Sequence, residues 1–136
     1  MAFISWSDSY KIGNAEIDRQ HQNFFSLIAK FHTCALNPKC DAAPVLNEIL
    51  EYAVFHFAYE ESEMQRVSYK DFNGHASQHN SILAELKKLV KSPNLKSDMF
   101  EVLIIQWLMK HMMTEDKKLA AALQPTTASS KRTLNF

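Results

Sequence analysis

Glycine and proline are scarce, at two and four in 136 residues. That is too few for the frequent tight turns of a small β-sandwich or barrel, so long helices are the better expectation. Neither charge is in surplus, with fifteen basic residues against fifteen acidic ones. This balance removes the broad electrostatic case for nucleic acid or an anionic membrane. A long apolar run is missing too. The most apolar stretch, Val102 to Met113, is broken by Gln106, Lys110 and His111, and no membrane-spanning helix is expected. The N-terminus, MAFISWSDSYK, lacks the basic-then-apolar pattern of a secretory leader, so a cytoplasmic protein is expected. The two cysteines, Cys34 and Cys40, match no common zinc spacing. Two free thiols are the expectation, with a reversible disulfide as the alternative.

What remains is an ordinary globular share of apolar residues, 46%, enough for one domain with a core. The apolar residues fall into four helical stripes. An extended arm, residues 1–17, precedes them, with a turn at Gly13 and Asn14. The first helix is expected to open at Asp18 and carries His21, Phe24, Phe25, Ile28, Phe31, His32 and Ala35 on one face. The second stripe runs Leu46, Ile49, Leu50, Ala53, His56, Phe57, Glu60, Met64. The third is His75, His79, Ile82, Leu83, Leu86, Leu89, Val90. The fourth includes Met99, Val102, Leu103, Gln106, Trp107 and His111 and reaches about Leu123. Short connections between long helices predict an all-α, antiparallel up-down-up-down four-helix bundle over residues 1–123. The polar tail, 124–136, is expected to be disordered.

Each stripe is apolar except at a few positions, and those positions are histidine or glutamate. His21 lies near the start of the first helix, His56 and Glu60 late in the second, His75 and His79 at the start of the third, and His111 late in the fourth. An up-down-up-down bundle brings those four places to one end. Burying so many polar groups without partners would cost several kcal/mol. A metal centre answers that cost. Five histidines exceed the four ligands of one tetrahedral zinc, and the count suggests two metals sharing carboxylates. Imidazole with carboxylate suits iron or another transition metal better than calcium or magnesium. Glu60 can offer one oxygen to each metal. A second shared carboxylate should come from Glu115 or Asp116. Helix geometry alone favours Glu115, because Asp116 lies about 140° around an ideal helix from His111.

The stretches Trp6, "IGNAEIDRQH" (12–21), "HFAYEESEM" (56–64), "HASQH" (75–79) and "WLMKHMMTED" (107–116) resemble the hemerythrins, most closely the single-domain bacterial ones, the bacteriohemerythrins. The resemblance covers residues 3–123. It implies two irons with an oxo or hydroxo bridge, one held by His75, His79 and His111 and the other by His21 and His56. Glu60 and Asp116 would be shared between them, which resolves the earlier alternative in favour of Asp116. It also implies reversible dioxygen binding, as hydroperoxide, at an open position on the two-histidine iron. Trp107 and Leu108 are expected to line that pocket, with Phe24, Phe57 and Met112 as further candidates. His32 lies three turns from His21, roughly 16 Å along the helix, and is expected to be a hydrogen-bonded histidine outside the site. Tyr52 and Tyr59 flank His56 and are candidates to bond to its ring.

The first functional expectation is therefore a monomeric, non-enzymatic oxygen-binding protein for storage, delivery or scavenging, with dioxygen as partner and neither nucleic acid nor membrane. The second is an oxygen- or redox-sensing module that signals to an unidentified protein partner. The third is a diiron oxidase or peroxidase. Ferritin-like oxidases are richer in carboxylates, built on Glu plus Glu-x-x-His. Five neutral imidazoles donate less negative charge and argue against that third reading.

Overall fold

Asn14, not Asp18, opens the first helix. Its side chain accepts a hydrogen bond from the Ile17 N–H at 2.9 Å, and α1 runs Ala15–Ala35. Asp18 sits in the first turn and reaches backwards, accepting from the N–H groups of Ile12 at 2.8 Å and Gly13 at 3.4 Å. Both residues are good caps by type, and Gly13 decides between them. Its φ of +100° is a conformation that glycine adopts without strain, and the turn brings the arm back over Asp18. The computed structural model describes residues 5–91, 100 and 102–124. The tail expected to be disordered, from 125 onward, lies outside the described residues, as does Met99 of the fourth stripe.

Two further helices follow, α2 over Ala43–Arg66 and α3 over Phe72–Val90. Pro44 stands in the first turn of α2, where its missing N–H breaks no helical bond. The fourth helical run, α4, covers 102–123 and departs from a regular α-helix. Ile104–Met109 and Met112–Asp116 are π-helical, and Lys117–Leu123 closes the run as α-helix. No strand occurs among the described residues. None of the helices there is long and apolar enough to cross a membrane. α1 packs on α2 and α2 on α3, across the short connections 36–42 and 67–71. The architecture is the four-helix bundle that the stripes predict.

The stripes of α1, α2 and α3 are buried much as read. That of α4 is not. Leu103, Leu108, His111, Met112, Asp116, Leu119 and Ala120 are buried, whereas Val102 is 52% and Trp107 43% exposed, and Gln106 is exposed too. The exposed pair Gln106 and Trp107 interrupts the expected stripe, and burial resumes at Leu108, Met112 and Asp116. Both π stretches lie in this run, and their hydrogen bonds close on the fifth residue, so that His111 and Asp116 share a face. Three- and four-residue spacing counted from His111 does not reach Asp116.

The core divides in two. The larger apolar cluster includes Phe24, Ile28, Phe31, Leu46, Ile49, Phe57, Ile82, Leu86, Leu108 and Met112. A smaller one holds Ile12, Ile17, Met64, Leu119 and Ala120, with Tyr59 packed against it. Along α1, α2 and α4 the polar residues of the stripes lie between the two. A buried polar layer is thus closed by apolar side chains above and below. The arm completes the smaller cluster with Ile12, and Gln124 ties it down by donating from Nε2 to the Gly13 carbonyl at 3.2 Å.

The cysteines correct the expectation of free thiols. Cys34 and Cys40 form a disulfide, with their Cα atoms 5.3 Å apart. Two consecutive turns beyond α1 bring them together. The Asn37 N–H donates to the Cys34 carbonyl at 3.0 Å, and the Cys40 N–H to the Asn37 carbonyl at 2.9 Å.

Candidate metal centre

Seven side chains from all four helices meet in the polar layer. α1 supplies His21, α2 supplies His56 and Glu60 one turn apart, α3 supplies His75 and His79 one turn apart, and α4 supplies His111 and Asp116 across its second π stretch. All seven are at most 2% exposed. They fall into two groups of mutually close donor atoms. One is Glu60, His75, His79, His111 and Asp116; the other is His21, His56, Glu60 and Asp116.

The two carboxylates belong to both groups, and their oxygens divide between them. Glu60 Oε1 lies 2.9 Å from His79 Nε2 and 3.4 Å from His75 Nε2. Glu60 Oε2 lies 3.0 Å from His56 Nε2 and 3.6 Å from His21 Nε2. Asp116 Oδ1 is 2.9 Å from His75 Nε2 and 3.1 Å from His111 Nε2, while Oδ2 is 3.1 Å from His21 Nε2. Each carboxylate therefore presents one oxygen to a three-histidine half and the other to a two-histidine half. Glu115 is outside both groups and pairs with Lys118 at 3.3 Å.

Several of these separations are hydrogen-bond lengths, but the directions are wrong for hydrogen bonds. Four of the five Nε2 atoms, those of His21, His75, His79 and His111, are buried without a hydrogen-bond partner, as are all four carboxylate oxygens. Their lone pairs converge on shared points between the side chains. These eight buried polar atoms would be a heavy penalty in a finished protein. Cations at those points would satisfy the lone pairs, and imidazole with carboxylate is a donor set for transition metals.

The far sides of the rings support the same conclusion. His56 Nδ1 lies 2.8 Å from Gln20 Oε1, His79 Nδ1 2.8 Å from Glu61 Oε2, and His111 Nδ1 2.8 Å from Gln78 Oε1. Those oxygens can only accept, so Nδ1 carries the proton in each pair and Nε2 keeps its lone pair for the site. The Gln20 amide is oriented in turn, since its Nε2 donates to Glu16 Oε2 at 2.8 Å. Tyr52 does not bond to the His56 ring; its hydroxyl donates to the Gln20 carbonyl at 3.0 Å. Gln20, Glu61 and Gln78 were not anticipated from the sequence. The one available signal is position, because each stands next to a site residue in the chain yet serves a ring on another helix.

In the metal-free protein, protons and carboxylates must compensate one another. Burial pushes His21 and His75 down, but the neighbouring Asp116 and Glu60 carboxylates outweigh it and raise both to about 9. Burial pushes Glu60 up, yet the charge on His56 and the approach of His21 and His75 hold it well below the usual carboxylate range. Asp116 is lowered as well: burial and the Glu60 charge oppose its ionisation, and His111, His21 and His75 overcome them.

Of the residues expected to line a gas pocket, Phe24, Phe57, Leu108 and Met112 are buried in the larger apolar cluster. The Phe57 ring stacks on His79, with centroids 4.0 Å apart, and Phe24 meets His56 edge-on at 6.2 Å. Trp107 differs. It faces outward, lining a groove between α3 and α4 with Ser77, Gln78 and Lys110. His32 is half-buried and belongs to neither group, though it does make an interaction of its own.

The model of the hemerythrin HHE cation-binding domain matches residues 13–123. A hemerythrin-like protein of Naegleria gruberi is 29% identical over 120 residues, covering 88% of this chain and 93% of the relative. A bacteriohemerythrin of Methylococcus capsulatus is 29% identical over 125 residues, covering 86% and 94%. A crystal structure of wild-type hemerythrin superposes with a TM-score of 0.82 at 26% identity, covering 90% of this chain and 98% of that one.

Proposed function

The chain belongs to the hemerythrin family, and from that premise we propose that it binds dioxygen reversibly at two iron ions held by His21, His56, Glu60, His75, His79, His111 and Asp116. The observation that carries the reading is the division of carboxylate oxygens, with Glu60 and Asp116 each facing both halves of the cluster. Bound there, two irons would supply the redox chemistry for reversible dioxygen binding. The chain's own part is to hold, orient and seal. His75, His79 and His111 would hold one ion, and His21 and His56 would hold the other with one fewer histidine. Gln20, Glu61 and Gln78 keep the ring protons on Nδ1 and so keep Nε2 available. The apolar clusters on both sides keep bulk water, and the further protons it would bring, away from a bound small molecule. Carriage rather than turnover fits the five neutral imidazoles.

The test is the visible spectrum of anaerobically iron-loaded protein before oxygen, under oxygen and after its removal. A charge-transfer band that appears with oxygen and disappears with it supports carriage. An irreversible change moves redox sensing ahead. One observation favours that second reading, the Cys34–Cys40 disulfide, which a reducing cytoplasm would open.

A further inference from the structure

The three Nδ1 bonds around the cluster are equal in length and unequal in charge. Neutral amides hold His56 and His111, and a carboxylate holds His79, each at 2.8 Å. An amide oxygen and a carboxylate oxygen orient a ring equally well. Only the carboxylate places a negative charge behind it. A charge-assisted bond is about twice as strong as a neutral one, and an anionic acceptor on Nδ1–H makes Nε2 a better donor. Glu61 is 32% exposed, which screens part of its charge from the surroundings. The ring it grips is fully buried, however, and the influence passes through the hydrogen bond.

This asymmetry falls on one half of the cluster. His79 belongs with His75 and His111. No carboxylate directly backs a ring of the other half; Glu16 stands one amide further away, behind Gln20, and is paired with Arg19. Each half also contains one ring, His75 or His21, whose Nδ1 is buried without a partner, so those two rings do not separate the halves. We propose that Glu61, acting through His79, is a positioning residue that makes the His75/His79/His111 half the tighter metal position, so that cations enter the cluster in order with that half filled first. This rests on the metal-centre reading above.

The extra histidine favours the same half, and substitution separates the two effects. Glu61→Gln keeps an oxygen acceptor for the His79 Nδ1–H and removes only the charge. Gln78→Glu places a carboxylate behind His111, in the same half, at an exposed position. The experiment titrates the chelator-treated full chain with cobalt(II), read by visible d–d absorption and calorimetry, with circular dichroism to check folding. The wild type should take cobalt in two steps of unequal affinity. Glu61→Gln should weaken the first step by roughly 10-fold or more and leave the second unmoved. The double variant Glu61→Gln/Gln78→Glu should regain most of that loss, which a folding defect would not allow. Equal steps in the wild type, an unchanged first step in Glu61→Gln, equal weakening of both steps, or no recovery in the double variant would each overturn the assignment. A wild type that binds no cobalt would overturn the metal-centre reading itself.

Discussion

His111 and Asp116 are five residues apart, yet the histidine Nε2 stands 3.1 Å from the aspartate Oδ1. An ideal α-helix would set them about 140° apart. The π stretch Met112–Asp116 removes that angle, because its hydrogen bonds close on the fifth residue. The helix here accommodates one extra residue. Deleting the exposed Thr114 should return the stretch to regular α-helix with both side chains still on one face. Cobalt uptake at both positions is then expected to survive. Asp116→Ala should weaken both positions, since Asp116 offers an oxygen to each. Glu115→Ala should weaken neither. Calorimetric titration of the three variants reads this directly, and loss of uptake in the Thr114 deletion would show that the π geometry itself is required.

The metal-free protein should be sensitive to pH on both sides. His21 and His75 are raised from 6.5 to about 9. A raised folded-state value means that their stabilisation is full below 6.5 and lost as pH climbs through about 9. Glu60 and Asp116 are lowered, so theirs is present above the ordinary values of 4.5 and 3.8 and lost on acidification. The urea midpoint of chelator-treated protein should therefore be highest between about pH 4.5 and 6.5 and fall toward pH 9.5. Metal-loaded protein should lack the alkaline fall, because Nε2 is then occupied and its proton released. A metal-free midpoint that rises from pH 6.5 to 9.5 would contradict the assignment.

Three helices and six of the seven clustered residues were legible because they obey one period. His56 with Glu60, and His75 with His79, lie one turn apart on regular α-helices, and their apolar neighbours continue the same face. α4 resisted because two π stretches interrupt its three- and four-residue period. That geometry turned Trp107 outward and left Asp116 reachable only through family resemblance. The ring partners resisted for another reason. Gln20 serves His56 and Gln78 serves His111, 36 and 33 positions away, so no local spacing announces them. The repeated Gln-His pairs, 20–21 and 78–79, are their trace: one residue on a helix faces the site and its neighbour faces the adjacent helix's ring. The first helix start was missed because Asn14 and Asp18 are equally good caps, and only the Gly13 turn separates them.

Opening the Cys34–Cys40 disulfide should cost stability without touching the cluster. The closed loop is short, and the chain-entropy relation gives about 2 kcal/mol for it. Cys34→Ser is therefore expected to lower the unfolding free energy by roughly that amount while leaving the oxygen spectrum and its reversibility unchanged. Urea unfolding and the anaerobic–aerobic cycle measure the two separately. A changed oxygen response in this variant would favour the sensing reading over carriage.

Leu108 and Trp107 are neighbours in the chain with opposite surroundings, 3% and 43% exposed. If apolar closure keeps water from the cluster, only the inward residue should matter to it. Leu108→Ala removes buried volume from the larger cluster and is expected to cost about 2–5 kcal/mol. It should also speed the irreversible oxidation of iron-loaded protein, because Leu108 stands three residues before His111 in the apolar cluster on one side of the histidine layer. Trp107→Ala should cost about 1 kcal/mol or less, as surface changes do, and leave the oxidation rate unmoved. The two effects of Leu108→Ala are separable. Phe31→Leu makes a smaller cavity in the same cluster, farther along α1 from His21, and should destabilise without accelerating oxidation. Loss of the visible band with time under air, measured on all three variants, decides the matter. Equal rates for Leu108→Ala and Phe31→Leu would mean that general loosening, rather than closure at Leu108, governs the entry of water.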